Sequence, residues 1–289
     1  MSVKNFTPFG GAEFQFHDID LAGVVVLPLC YENAPSYGTG SAEAPYHILD
    51  ASSQLEGIDE ETLIDWTSFR IHTTDPLIPS NDPEQAVLQM RKAAEKILKQ
   101  KKFLLSIGGD HAVSLGPIKA ASTLYPDMSV LQIDAHLDMR DRWNGSRFNH
   151  ACVMRRVVAD MRLPVVQVGI RSFSKEEADF IKSRNLTPVY AHEIDPWDSA
   201  WLTRTVNRLS ETVYVTLDLD GLDPSVIPGT GTPEPGGLSY RQLVKLIERV
   251  GKERKVVAAD ITELSKIEGA HVSEFTAAKI ATKFFVYCL

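Results

Sequence analysis

The chain has 289 residues, 44% of them hydrophobic and 24% charged, which is the mixture of an ordinary globular protein and excludes disordered, collagen-like and fibrous classes. Thirty basic against 38 acidic residues leave a net charge of −8, which argues against nucleic-acid and anionic-membrane binding.

At the start, Met1-Ser2-Val3-Lys4-Asn5 has no basic region leading into an apolar one, so no export signal is expected. The longest strongly apolar stretch, Leu21 to Tyr31, is too short to span a bilayer. A first strand is predicted over Ala22 to Leu27. Next comes a helix over Pro83 to Lys101, with apolar residues recurring at Ala86, Val87, Met90, Ala93, Ala94, Ile97 and Leu98. Further strands are predicted over Phe103 to Ile107, Ser129 to Ile133, Val165 to Val168, Val213 to Leu217 and Val256 to Ala259. Helices are predicted over Leu115 to Leu124, Ala151 to Met161, Lys175 to Ser183, Ser239 to Val250 and Ser273 to Phe284. The strands are short, apolar and mostly non-alternating, as in a parallel sheet covered on both faces. Strands that alternate with helices specify an α/β fold. No linker or repeat divides the chain, so residues 1–289 are expected to form a single domain. Cys30, Cys152 and Cys288 are odd in number and widely spaced, unlike a disulfide framework or zinc ribbon, and a reducing cytoplasm is the expected compartment.

The informative residues follow four of the strands. They are Gly108-Gly109-Asp110-His111, Asp134-Ala135-His136-Leu137-Asp138, Asp218-Leu219-Asp220-Gly221-Leu222-Asp223-Pro224 and Asp260-Ile261-Thr262-Glu263. Ligands of open parallel sheets bind outside the carboxyl ends of the strands, so these loops are expected to converge. In extended backbone, residues two apart face one side, which would align Asp134, His136 and Asp138, and likewise Asp218 with Asp220. With His111 this makes four carboxylates and two imidazoles, a set that needs positive counter-charge. Six ligands exceed the needs of one zinc and fit a two-metal site, and a carboxylate-rich set favours Mn²⁺. Taken singly, an Asp-x-Asp is usually a turn and a lone His a packed or surface residue; together at strand ends they point to metal.

These motifs, with the loop Pro228-Gly229-Thr230-Gly231-Thr232-Pro233, resemble the ureohydrolase family of arginase, agmatinase and relatives. The resemblance covers most of the chain and is closest to agmatinase-like members. It implies a three-layer α/β/α fold with a mainly parallel sheet and two Mn²⁺ per chain. By the family pattern one metal takes His111, Asp134, Asp138 and Asp218, and the other Asp134, His136, Asp218 and Asp220, with Asp134 and Asp218 bridging. A hydroxide bridging the metals would attack a guanidinium carbon, oriented by Asp138. Glu263 matches the carboxylate that holds the guanidinium, and His150 the proton-shuttling histidine. The implied reaction is hydrolysis of agmatine to putrescine and urea, in a homotrimer or homohexamer with no nucleic-acid or membrane partner.

The stretch from Met139 to Asn149 does not reproduce the segment with which arginase reads an amino-acid head group. Ala151-Cys152 after His150, and Leu264-Ser265-Lys266 after Glu263, depart from the usual agmatinase residues and suggest a divergent branch, including enzymes of aminopropyl-agmatine. Arg142 and Arg147 would suit the carboxylate of guanidinobutyrate if they faced the site; pairing or solvent exposure is the expected alternative. Other readings are a formimino substrate, a non-catalytic metal-stabilised oligomer, a deacetylase on the related fold, and a Cys152 thiol nucleophile. Gly38-Thr39-Gly40 and Gly229-Thr230-Gly231 lack the Gly-Lys-Ser/Thr continuation of a phosphate loop and are expected to shape the site. Asp223 is expected in a supporting or turn role. His17, His47, His72, His192 and His271 are expected to be structural.

Overall fold

Every backbone hydrogen-bonding group of a buried strand must find a partner, and eight strands solve this in one sheet. The computed structural model describes residues 5–289; the reading of Met1 to Lys4 as lacking a leader lies outside the described residues. The strands are β1 (Val24–Leu29), β2 (Ile71–Thr73), β3 (Phe103–Gly108), β4 (Ser129–Ile133), β5 (Val165–Ile170), β6 (Val189–Tyr190), β7 (Thr212–Asp218) and β8 (Lys255–Thr262). Their order is β2-β1-β3-β8-β7-β4-β5-β6, and every neighbouring pair is parallel.

The helices are α1 (Ala44–Ser52), α2 (Pro83–Leu98), α3 (Leu115–Leu124), α4 (Val153–Ala159), α5 (Lys175–Ser183), α6 (Ala200–Val206), α7 (Tyr240–Glu253) and α8 (Val272–Cys288). Alternate strand residues feed two separate apolar cores. Val24, Leu105, Leu131, Val215 and Ile261 pack with α1, α6, α7 and α8. Val25, Leu104, Val130, Tyr214 and Ala258 pack with α2, α3, α4 and α5. The result is three layers, α/β/α. No helix among the described residues is long and apolar enough to cross a membrane.

The predicted bounds of β4, α3 and α5 coincide with the observed ones. The strands β2 and β6, three and two residues long, were not predicted because so short a run shows no period, and the helices α1 and α6 were not predicted either. Strand β8 runs on to Thr262, so Asp260 lies inside the strand and fully buried rather than in the loop beyond it.

One buried cation anchors the last helix. Lys283 on α8 is inaccessible to solvent and binds Asp59, also inaccessible, at 2.5 Å, with Glu61 at 3.1 Å and Glu60 at 3.2 Å. The three acids hold its ammonium above its ordinary pKa although burial alone would lower it.

Candidate metal centre

The four motif loops leave the carboxyl ends of β3, β8, β7 and β4, which are the four adjacent central strands. Adjacency explains their convergence: strands in a sheet lie about 5 Å apart, so side chains at neighbouring ends can meet. The turn after β3 needs glycine, because a Cβ at Gly109 would stand 1.8 Å from the Tyr31 carbonyl oxygen. Asp110 then caps the following turn by accepting from Ala112 N, which sets His111 over the sheet edge.

The two Asp-x-His/Asp motifs use one local device. Asp134 Oδ1 accepts from His136 N at 2.5 Å, and Asp218 Oδ1 accepts from Asp220 N at 2.9 Å. Each bond folds the chain back so that residue i+2 faces the same space as residue i. The expected mechanism of convergence, alternation in extended backbone, is therefore corrected. Beyond Ile133 the chain turns, Leu219–Gly221 is a 3₁₀ turn, and Asp138 sits in the left-handed region at φ 53°. Glu263 is left-handed too, at φ 67°. A non-glycine residue there costs about 1–2 kcal/mol, and such strain tends to collect where function fixes the backbone.

All six predicted ligands come together. His111 Nδ1 lies 3.1 Å from Asp134 Oδ2, 2.8 Å from Asp138 Oδ2 and 3.4 Å from Asp218 Oδ2. His136 Nδ1 lies 3.1 Å from Asp220 Oδ2 and 3.6 Å from Asp134 Oδ1. Donor atoms of His111, Asp134 and Asp218 share one small space, those of Asp134, His136 and Asp220 a second, and Asp134 contributes to both. Five of the six residues are buried, and His136 is partly exposed.

The donor set fits two divalent cations. His111 Nδ1 is a buried polar atom with no hydrogen-bond partner, although three carboxylate oxygens surround it. Unaided, the cluster must draw protons instead. Burial opposes charge on both imidazoles, yet the neighbouring carboxylates overcome it, raising His111 well above its ordinary value and His136 to about 12. Burial and the neighbouring acids push Asp218 far up, and burial with Asp134 pushes Asp138 to about 7. Asp134 is held below the usual carboxylate range, because His111 and His136 outweigh its burial. Cations would supply the charge that protons supply here.

Above the cluster opens a pocket of about 320 Å³, lined by all of the six except Asp134, with Glu263 and His150 on its wall. His150 Nε2 is 2.9 Å from Ser36 Oγ, and its Nδ1 is buried without a partner. Burial, then His111 and His136, push its pKa down to about 4. Gly38 and Gly231 line the mouth, joined by a Gly38 N to Gly231 O hydrogen bond of 3.0 Å, so the two Gly-Thr-Gly loops do shape the site. Asp223 is a turn residue, accepting from Ser225, Gly236 and Gly237. Among the eight histidines only His111, His136 and His150 line the pocket.

The Cys152 thiol reading fails: the side chain is fully buried, and burial raises its pKa to about 12, which suppresses the thiolate. Arg142 and Arg147 do not line the pocket; Arg147 pairs with Asp160 at 3.3 Å, and Arg142 reaches the Gly145 carbonyl. Arg140, not singled out in the sequence, does line it, stacked 4.3 Å over Trp143 and 3.9 Å from Glu177.

Arg171 was also missed. Its guanidinium donates to the carbonyls of Gly169, Asp220, Gly221, Leu222, Glu234 and Pro235, tying the Asp220 loop to the end of β5. It directly follows β5 as observed, but that strand was predicted to end at Val168, and the rule that sought acids and histidines beyond strand ends passed over an arginine three residues on.

A family model described as "Arginase family" matches residues 22–286. The N(1)-aminopropylagmatine ureohydrolase of Synechocystis sp. is 38% identical over 275 residues, covering 92% of this chain and 89% of its own. The agmatinase of Pyrococcus horikoshii is 33% identical and covers 91% of each chain. Among solved structures, the agmatine ureohydrolase of Thermoplasma volcanium superposes with a TM-score of 0.89 at 28% identity, over 99% of this chain and 95% of its own.

Proposed function

The chain belongs to the arginase family and is an agmatinase-like ureohydrolase; from that premise we propose that it releases urea from a linear guanidinoalkylamine, N(1)-aminopropylagmatine ahead of agmatine. What carries the reaction class is Asp134 standing between two His–carboxylate groups beneath a pocket that also presents Glu263. The longer substrate is favoured by relatives of that name at 38%, 37% and 36% identity. Agmatine is the second reading, supported by the Pyrococcus relative. Guanidinobutyrate loses its support with Arg147 paired to Asp160 and Arg142 turned to a carbonyl.

Two Mn²⁺ ions held by His111, Asp134, His136, Asp138, Asp218 and Asp220 would supply the Lewis acidity and the activated water that attack on a guanidinium requires. The rest falls to the chain. Glu263 pairs with the guanidinium and fixes its carbon above the ligands. Asp138 accepts the hydrogen bond that orients the water. His150 is kept neutral by burial, so it can accept a proton from the pocket and return it to the departing amine, held in place by Ser36.

Urea release is to be measured on Mn²⁺-loaded protein with aminopropylagmatine, agmatine, arginine and guanidinobutyrate, with bound metal counted in the same sample. Highest kcat/KM on aminopropylagmatine supports the proposal. Highest kcat/KM on agmatine moves the substrate to the second reading. Preference for arginine or guanidinobutyrate overturns the alkylamine assignment.

A further inference from the structure

One residue pair below the ligands, a polar row crosses the buried sheet. Ser106 on β3 pairs in register with Asp260 on β8, Asp260 with Thr216 on β7, Thr216 with Gln132 on β4, and Gln132 with Gln167 on β5. All five are at most 2% exposed. The row two residues earlier on the same face is apolar: Leu104, Ala258, Tyr214, Val130 and Val165. A polar row inside an apolar core carries a desolvation cost, which its hydrogen bonds offset only in part.

Those bonds lead to two of the candidate ligands. His111 Nε2 is 2.9 Å from Thr216 Oγ1, and Thr216 Oγ1 donates to Asp260 Oδ1 at 2.7 Å. Tyr214 OH donates to Asp260 Oδ2 at 2.6 Å, so Asp260 accepts at both oxygens. A few ångströms along the row, Gln167 Nε2 donates to Gln132 Oε1 at 2.6 Å, and Gln132 Nε2 donates to Asp134 Oδ2 at 2.6 Å.

We propose that Thr216 and Asp260 are positioning residues that hold His111 in the tautomer whose Nδ1 lone pair is free for a cation, while Gln132 and Gln167 fix the Asp134 carboxylate beside it. The hydroxyl of Thr216 has one proton. Given to Asp260 at 2.7 Å, or to Ser114 Oγ at 3.3 Å, it leaves the oxygen able only to accept from His111, so His111 must carry its own proton on Nε2. In the neutral ring that a cation requires, Nδ1, the atom ringed by three carboxylates, is then the unprotonated one. Supporting residues of this kind fix ring orientation and strengthen the ligand.

The inference rests on the metal reading of the site, and the test separates the two. Mn²⁺ affinity is measured by chelator competition on the metal-free chain, for the wild type, Thr216→Val and Thr216→Ser, with melting temperatures before and after Mn²⁺. Valine keeps the shape of threonine and removes only the hydroxyl. Thr216→Val is expected to bind Mn²⁺ about 10- to 100-fold more weakly, with KM for substrate little changed at saturating metal. Its metal-free melting temperature should stay near that of the wild type while the rise on adding Mn²⁺ shrinks. Thr216→Ser should restore both affinity and rise. Asp260→Asn keeps an acceptor oxygen and should fall between them. Wild-type affinity in Thr216→Val, or equal loss of melting temperature with and without metal and no rescue by serine, overturns the positioning role. Failure of the wild type itself to bind Mn²⁺ overturns the underlying metal reading instead.

Discussion

Glu263 accepts a hydrogen bond from the backbone N–H of His111 at 2.7 Å, and Glu263 N donates in return to the Gly109 carbonyl at 2.8 Å. The ends of β3 and β8 are thereby clasped, and the carboxylate is committed to the pocket despite its left-handed backbone. Glu263→Gln keeps an acceptor for His111 N and removes only the charge. The expected result is unchanged metal content with kcat/KM lowered about 10- to 150-fold, the loss of one charge-assisted hydrogen bond to the guanidinium. Metal counting beside steady-state kinetics checks this; an unaltered kcat/KM would remove Glu263 from substrate binding.

Asp134 and Asp220 should separate in a metal count. Asp134 has an oxygen in both candidate subsites, whereas Asp220 serves only the one built on His136. Asp134→Ala is therefore expected to strip the chain of tightly held Mn²⁺. Asp220→Ala should keep the subsite on His111 and lose the other, about halving the metal retained through gel filtration. Equal retention in the two variants would refute the shared role of Asp134.

The six clustered residues were legible because each follows a strand, and in a parallel sheet all such positions share one edge. Their fine placement was not. Asp134 and Asp218 are turned by hydrogen bonds that their carboxylates accept from the backbone N–H two residues on, which a rule of alternation does not contain. The residues that hold the cluster were less visible still. Thr216 and Gln132 look like interior strand positions, and only the register that sets them side by side shows them as a row. Asp260 looked like a loop residue because an acid seldom lies inside a buried strand without partners, and its partners, Tyr214 and Thr216, are 46 and 44 residues away. Thin elements such as β6, two residues long, exist by pairing with a neighbour and leave no periodic trace.

Lys283 gives a prediction away from the site. It is wholly buried, and its removal leaves Asp59 buried without its cation, though still accepting from Thr62. Lys283→Met is expected to destabilise the chain by about 3–5 kcal/mol, as when one partner of a buried ion pair is deleted. Urea unfolding of the metal-free protein measures it. The double variant Lys283→Met/Asp59→Leu should recover part of the loss; no recovery would mean that packing, not the stranded charge, sets the cost.

His150 makes the last prediction, and its sign is opposite to that of a histidine which gains an acid partner. Its pKa in the fold is pushed down to about 4, first by burial and then by His111 and His136, whereas in the unfolded chain it titrates near 6.5. Between those values the unfolded chain binds a proton that the folded one refuses, so acid favours unfolding. The contribution of a neutral His150 is fully present above pH ~6.5 and is lost as pH falls toward ~4. In the metal-free protein, His150→Asn should therefore lose less stability than the wild type across that window. In the loaded enzyme the same variant should lower kcat by about 10²- to 10⁴-fold, the usual range for a general acid–base, with metal content retained. The two readouts separate the roles. A shallower acid limb with unchanged kcat would make His150 a buried structural residue. Parallel acid limbs would mean that the ring is not held neutral by its surroundings, and the proton transfer assigned to it would lose its physical basis.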